Sequence, residues 1–197
     1  MTQAISKPTQ KIKLTFENYL TYDDGTDNRY ELHHGELIVL PPESEENDFI
    51  AFVLRDELVQ IVDRRRVRKQ GCEVQVDGEP QNRYPDLVVL LPEHIELMRS
   101  RQRLTITLDM PPPVLVVEVV SPGRTNRERD YVQKFEQYKN RGIPEYWIVD
   151  PEDRVVIVFQ LQAGSYVEVG AFKGDDRMVS PTFPTLNLTA DQVLDAD

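Results

Sequence analysis

Tyr84-Pro85-Asp86-Leu87-Val88-Val89-Leu90-Leu91 and Val114-Leu115-Val116-Val117-Glu118-Val119-Val120-Ser121-Pro122 decide how this chain is read. Both are short apolar runs rich in β-branched residues, the pattern of strands buried on both faces. Each carries one acid: Asp86 opens the first run, and Glu118 interrupts the second. Burying a carboxylate on a central strand is costly unless positive charge neutralises it. Two such acids on neighbouring strands therefore predict a divalent-metal site.

The other elements follow outward from these strands. A short helix is expected over 14–20, with Thr15 as N-cap. Two strands within 29–40 flank a tight turn at His34-Gly35, and Pro41-Pro42 stops the second. A helix over 47–65 is predicted from the stripe Ile50, Val53, Leu54, Leu58 and Ile61. A strand over 72–76 ends in the turn Asp77-Gly78-Glu79-Pro80. Residues 93–98 read as one or two helical turns, and 99–109 as a loop with some extended structure. Thr125-Asn126-Arg127-Glu128 fits a capping box at the start of a helix reaching 141, closed by Gly142 and Pro144. Strands follow over 145–149, 154–161 (antiparallel to its predecessor) and 166–172, with a last helical turn after Thr189. This order predicts an α/β fold with a central mixed β-sheet flanked by helices. Residues 1–13 are expected to be disordered or extended, 14–190 to form a single domain, and 191–197 a C-terminal tail.

The 197 residues, 40% apolar and 29% charged, suit one globular domain with a sizeable core. No stretch is long and apolar enough to span a membrane, and no signal-peptide pattern opens the chain. The one cysteine, Cys72, forbids an internal disulfide and fits a reducing cytoplasm. It reads as a half-buried strand residue rather than a nucleophile. The net charge of −11 weighs against nucleic acid as a partner unless positive charge is clustered. Two clusters exist: Arg64-Arg65-Arg66-Val67-Arg68-Lys69, and Arg124 with Arg127 and Arg129. Either could face phosphates, or be solvated charge at helix ends, which the helix dipole favours for the first cluster.

Lys134 joins the two acids. On the 125–141 helix, Asp130 and Lys134 share a face, four residues apart. Tyr131, Phe135 and Tyr138 form the stripe that should meet the sheet, with Lys134 at its edge. Taken alone, Asp130 and Lys134 are an ordinary helix ion pair. With Asp86 and Glu118 they supply more. Two carboxylates can hold Mg²⁺ and leave sites for water and phosphate, while an ammonium steadies phosphate charge. His33, His34 and His94 show no ligand spacing and read as surface or turn residues.

At this point the chain resembles a family. Tyr84-Pro85-Asp86, the Glu118 strand with Ser121-Pro122, the run Asp130 to Lys134, Tyr138, Gly142-Ile143-Pro144-Glu145-Tyr146-Trp147 and Asp150-Pro151 are similar to the Uma-type putative restriction endonucleases of the PD-(D/E)XK nuclease superfamily. Tyr30-Glu31-Leu32 with Gly35-Glu36-Leu37 resembles that family's opening. The likeness spans roughly 14–190. It implies a restriction-endonuclease-like core, Asp86 and Glu118 as catalytic metal ligands, the Val119 backbone carbonyl as a further ligand, and Glu31 as an accessory acid. The superfamily lysine two residues after the glutamate is Val120 here, and the family's shift of that lysine to the next helix fits Lys134. Many relatives carry a histidine ahead of the second helix, where this chain has Asn47 and Asp48.

The expected function is a Mg²⁺-dependent DNA endonuclease, with Mn²⁺ as a substitute, acting in the cytoplasm. Lys134 would position the attacking water, with Asp130 and Tyr138 orienting Lys134. A homodimer would suit cleavage of both strands. The alternative is a catalytically inactive nuclease-fold protein that binds nucleic acid or protein. A paired-carboxylate sugar hydrolase ranks last, because these acids lie on buried strands beside a lysine.

Overall fold

The computed structural model describes residues 13–99, 101 and 103–195, so the N-terminal segment expected over 1–13 lies, Lys13 apart, outside the described residues. Its centre is a six-stranded mixed sheet of β3 (Val67–Lys69), β6 (Leu87–Val89), β8 (Leu115–Val119), β9 (Glu145–Asp150), β10 (Val155–Gln162) and β11 (Ser165–Phe172), in the spatial order β11-β10-β9-β8-β6-β3. Within this sheet only β8 and β9 pair in parallel, joined by a helical crossover. Strand alternation sends Leu87, Val89, Leu115, Val117, Trp147 and Val149 to one face. Val88, Leu90, Val116, Ile148 and Tyr146 go to the other. Both faces are buried, which is why the two apolar runs show no alternation in sequence.

The first face is covered by α2 (Glu45–Leu58), through Ile50, Leu54 and Leu58, and by α6 (Ala190–Leu194), through Val193. Thus residues 191–194 of the expected tail are packed helix, fastened by a Thr189–Gln192 capping box. Helix α2 starts earlier than 47 because Ser44 caps the Asn47 amide at 3.2 Å. It ends well short of 65: the amides of Gln60 and Ile61 bond carbonyls three residues back, and Ile61 is exposed. Asp63 then bonds the Arg65 amide and turns the chain into β3. The 64–69 basic cluster is therefore not at a helix end. Lys69 pairs with Asp48 at 2.6 Å, and the Arg66 Nε donates to the Leu90 carbonyl.

The second face carries α4 (Arg124–Glu128), a π-helical segment (Arg129–Lys134) and α5 (Phe135–Arg141), which run on without a break. Gly142, at φ 78°, supplies the expected left-handed end. The expected capping box is absent. Gly123, at φ 103°, is the N-cap without a side-chain bond, and Thr125 and Glu128 lie inside α4. Only glycine adopts that backbone freely, and it sets the helix start two residues early.

A small sheet of β4 (Glu73–Gln75), β5 (Asn82–Arg83) and β7 (Thr105–Ile106) packs on the same face. The hairpin of β1 (Tyr30–His33) and β2 (Glu36–Val39) turns at His34-Gly35, as expected. It shares a core with α1 (Phe16–Leu20), whose N-cap is Thr15. Two readings of single residues change. His94, on α3 (Pro92–Leu97), is not a surface residue. It is fully buried, Nδ1 accepting from the Leu91 amide and Nε2 donating to the Pro111 carbonyl. Cys72 is also wholly buried, and burial pushes its thiol up to about 12. No helix among the described residues is long and apolar enough to cross a membrane.

Candidate active site

The register of the sheet makes the site. Leu87 lies opposite Val117 in the antiparallel β6–β8 pair, so Asp86, one step outward, falls beside Glu118. The ladder is closed there by a side chain: the Val119 amide donates to Asp86 Oδ2 at 2.7 Å. Glu118 shares a sheet face with Val116 and Val120, and so points at the crossover helix rather than at α2. Both oxygens of Glu118 are held from that helix. Lys134 Nζ donates to Oε2 at 2.7 Å, and the Tyr138 hydroxyl to Oε1 at 2.5 Å.

Lys134 also reaches Asp130 at 2.8 Å, and Asp130 is 3.2 Å from the Arg129 guanidinium. The Tyr146 hydroxyl on β9 donates to the Asp130 carbonyl and ties the π-helical segment to the sheet. The three sequence-identified residues Asp86, Glu118 and Lys134 thus line one cleft of about 250 Å³, with Asp130 and Tyr138 behind them. Glu31 lines this cleft too, but is neutralised by buried Arg83 at 3.1 Å.

Charge in the cleft does not balance. Glu31, Glu43, Asp86 and Glu118 line it, with Asp130 behind them, against Arg29, Arg129, Lys134 and the Arg83 that pairs with Glu31. Burial, then repulsion from Glu118, drives the Asp86 carboxyl well above its usual range, and Lys134 offsets only part of this. Burial raises Glu118 as well, against the pull of Lys134. Burial works against the Lys134 ammonium, yet Glu118 and Asp130 outweigh it and keep it protonated.

Excess negative charge on hard oxygen donors fits a divalent ion such as Mg²⁺, which is bound by one or two carboxylates plus water and phosphate. Among the described residues no three acidic, histidine or cysteine side chains converge to hold a metal. Such an ion would therefore rest on Asp86 and Glu118 and complete its shell from backbone and water. The Val119 carbonyl already accepts from Asn47 Nδ2 at 3.2 Å, and a carbonyl has a second lone pair.

Several cleft residues were not picked out from sequence. Asn47 is buried, and its amide nitrogen also bonds Ser121 Oγ and Glu43 Oε1. A signal existed: Asn47 continues the buried stripe 51, 54, 58 of α2 with a polar group. Arg83 carried none, since β5 is two residues long. Arg29 and Tyr84 line the cleft through a cation–π contact of 6.0 Å between distant segments. In the 124–129 cluster, Arg127 pairs with Asp150 and Asp153, each at 2.5 Å, and Arg124 is exposed.

Comparison with known proteins gives the family and the fold. The sequence model of the Uma2 family, described as putative restriction endonuclease, matches residues 16–191. The fold is similar to the crystal structure of a putative nuclease from Anabaena variabilis. The TM-score is 0.66 at 16% identity, over 92% of this chain and 98% of that one. No curated protein matches the chain.

Proposed function

The chain belongs to the Uma2 family of putative restriction endonucleases, and on that premise we propose that it is a Mg²⁺-dependent DNA endonuclease, with Mn²⁺ as a substitute. One observation carries the reading: Asp86, at the entry to β6, sits beside Glu118 on β8, with the Lys134 ammonium on Glu118. Asp86, Glu118 and the Val119 carbonyl would hold the ion. When bound, it supplies water activation and charge neutralisation at the phosphate.

The chain's own residues do the rest. Tyr138 and Lys134 fix Glu118 from both oxygens, so its carboxylate cannot swing. An ammonium has three N–H donors. Lys134 commits two, to Glu118 and Asp130. Among the described residues the third has no partner, and it would orient a water or a phosphate oxygen in the cleft. Asp130 acts as a positioning residue for that ammonium, and Glu31 as a more distant acid held by Arg83. The reading extends to a homodimer with one cleft per strand, acting in the cytoplasm.

The rival reading is a non-cutting nuclease-fold binding module. It draws on Val120, buried where the superfamily pattern has its lysine. The test is nicking of supercoiled DNA with Mg²⁺, Mn²⁺ or chelator, beside Asp86→Asn and Lys134→Met. Metal-dependent nicking lost in both variants is expected. A folded protein that binds metal and cuts nothing would shift the reading to the module, and normal cutting by Lys134→Met would sink the mechanism.

A further inference from the structure

A second cleft, of about 550 Å³, adjoins the acidic one, and the two share Arg29 and Tyr84 as a common wall. We propose that it is a nucleotide subsite: Arg29 binds the phosphate next to the scissile one, and the second cleft seats the unpaired base of that nucleotide. This rests on the nuclease reading, which it deepens by naming the substrate feature.

Arg29 is the first reason. The chain has 34 acidic side chains, and Glu31, Glu43, Asp86 and Glu118 line the cleft with Arg29. Yet among the described residues its guanidinium has no acid or hydrogen-bond partner, only the face of Tyr84 at 6.0 Å. A half-buried arginine held by an aromatic ring keeps its forked donors for an outside anion. Phosphate is the anion that a phosphodiester-cutting cleft must meet.

Tyr84 is the second reason. Its hydroxyl lies 3.1 Å from that of Tyr19, which donates to buried Glu73 at 2.6 Å. Glu73 also accepts from Thr105 at 2.6 Å and from Asn82. This buried network fixes the ring before any ligand arrives. Two residues on, through Pro85, lies Asp86. The wall of the second cleft and the acid of the first are therefore one rigid piece of chain.

The lining of the second cleft is the third reason. Beyond Arg29 it offers Arg103, Asn28, Tyr22, Asp23 and Asp27. Acceptors and donors are mixed, and the aspartates repel a second phosphate. A heterocyclic base, with donors and acceptors on its edge and a face to stack, suits that mixture. The volume is in the range of small-molecule sites, about 300–1,000 Å³. A base paired in a duplex cannot enter, so the substrate has an unpaired nucleotide beside the cut.

The test is binding of two labelled ten-nucleotide probes, oligothymidylate and an abasic backbone of equal length. It is run in Ca²⁺ at a series of salt concentrations, beside cleavage assays in Mg²⁺. The wild type should bind the thymidylate about fivefold or more tightly than the backbone, in line with one stacked base. Arg29→Gln should weaken both probes about tenfold and lower the salt slope by about one. Arg29→Lys should restore the slope. Tyr22→Leu should narrow the preference for bases and leave the slope alone. Equal binding of both probes by the wild type, an unchanged slope in Arg29→Gln, or no binding at all overturns the subsite. A protein that binds with the expected signatures but cuts nothing in Mg²⁺ keeps the subsite and loses the nuclease reading. A protein that cuts while Arg29→Gln keeps its slope loses the subsite alone.

Discussion

Replacing Lys134 by methionine keeps the length of the side chain and removes the ammonium. Glu118 Oε2 and Asp130 then lose partners at 2.7 and 2.8 Å, while Asp86 stays alongside. Breaking a buried ion pair by removing one member costs about 3–5 kcal/mol, because the remaining charge is uncompensated. For a domain of this size each kcal/mol is worth roughly 2–4 °C in Tm. The expected fall, measured with chelator at pH 7.5, is therefore about 6–20 °C. The loss should also depend on pH, with a sign that can be worked out. Asp86 and Glu118 have folded pKa values raised above the ordinary 3.8 and 4.5. A raised acid contributes stability below its unfolded pKa and loses it as pH rises through the folded value. Lys134 opposes that rise in both acids, so without it both climb further. The gap between variant and wild type should be small near pH 4 and widen toward pH 8. Adding Glu118→Gln to Lys134→Met should recover part of the loss, because the two sites are coupled. Urea melts across this pH range provide the measurement. A gap under about 1 kcal/mol at pH 7.5, or one that does not grow with pH, refutes the charge argument.

Asp86→Asn keeps an acceptor for the Val119 amide but removes a carboxylate strained by burial and by Glu118. Without metal it should be more stable than wild type at pH 8 and gain nothing at pH 3.5, as read by urea melts. Mg²⁺ at a hundred times its Kd should stabilise the wild type by about 2.7 kcal/mol, and this increment should vanish in Asp86→Asn. Leu54→Ala, in the fully buried stripe of α2, should cost about 2–5 kcal/mol in the same assay. Gly142→Ala should cost about 1–2 kcal/mol, since φ 78° is a left-handed backbone that Ala avoids.

What the sequence reveals depends on distance along the chain. The Asp86 and Glu118 strands were legible because a buried run with a single acid is a local pattern. Lys134 was legible because helical spacing carries it from Asp130 to the edge of the Tyr138 stripe. Errors arose where a local pattern had a rival. The apolar spacing of α2 runs on to Ile61, but the helix ends at Leu58 in tighter turns and leaves Ile61 exposed. Thr125 and Glu128 fit a capping box that Gly123 pre-empts. His94 gave no sign that the Pro111 carbonyl, 17 residues on, would take its ring N–H and bury it. Partners far apart in sequence, such as Glu31 with Arg83 or Arg29 with Tyr84, left no trace at all. In the site, sequence therefore yields the groups that touch the sheet's own acids, while of the wall brought in from the hairpin only Glu31 was named, through the family resemblance.

The π-helical turn at Arg129–Lys134 sets the clock of the crossover helix. Such a turn widens the helix by about one residue, and so offsets everything after it by roughly 100° from a plain α-helix. Lys134 and Tyr138 meet Glu118 in the offset phase, whereas α4 keeps the phase set at Gly123. One residue of chain length thus decides whether an ammonium faces two acids or the solvent. Deleting exposed Val132 would leave every acid and the lysine in the sequence, yet dial them out of register. Motif matching by residue identity alone would not register that change, because the spacing between the groups, and not the groups themselves, would have altered.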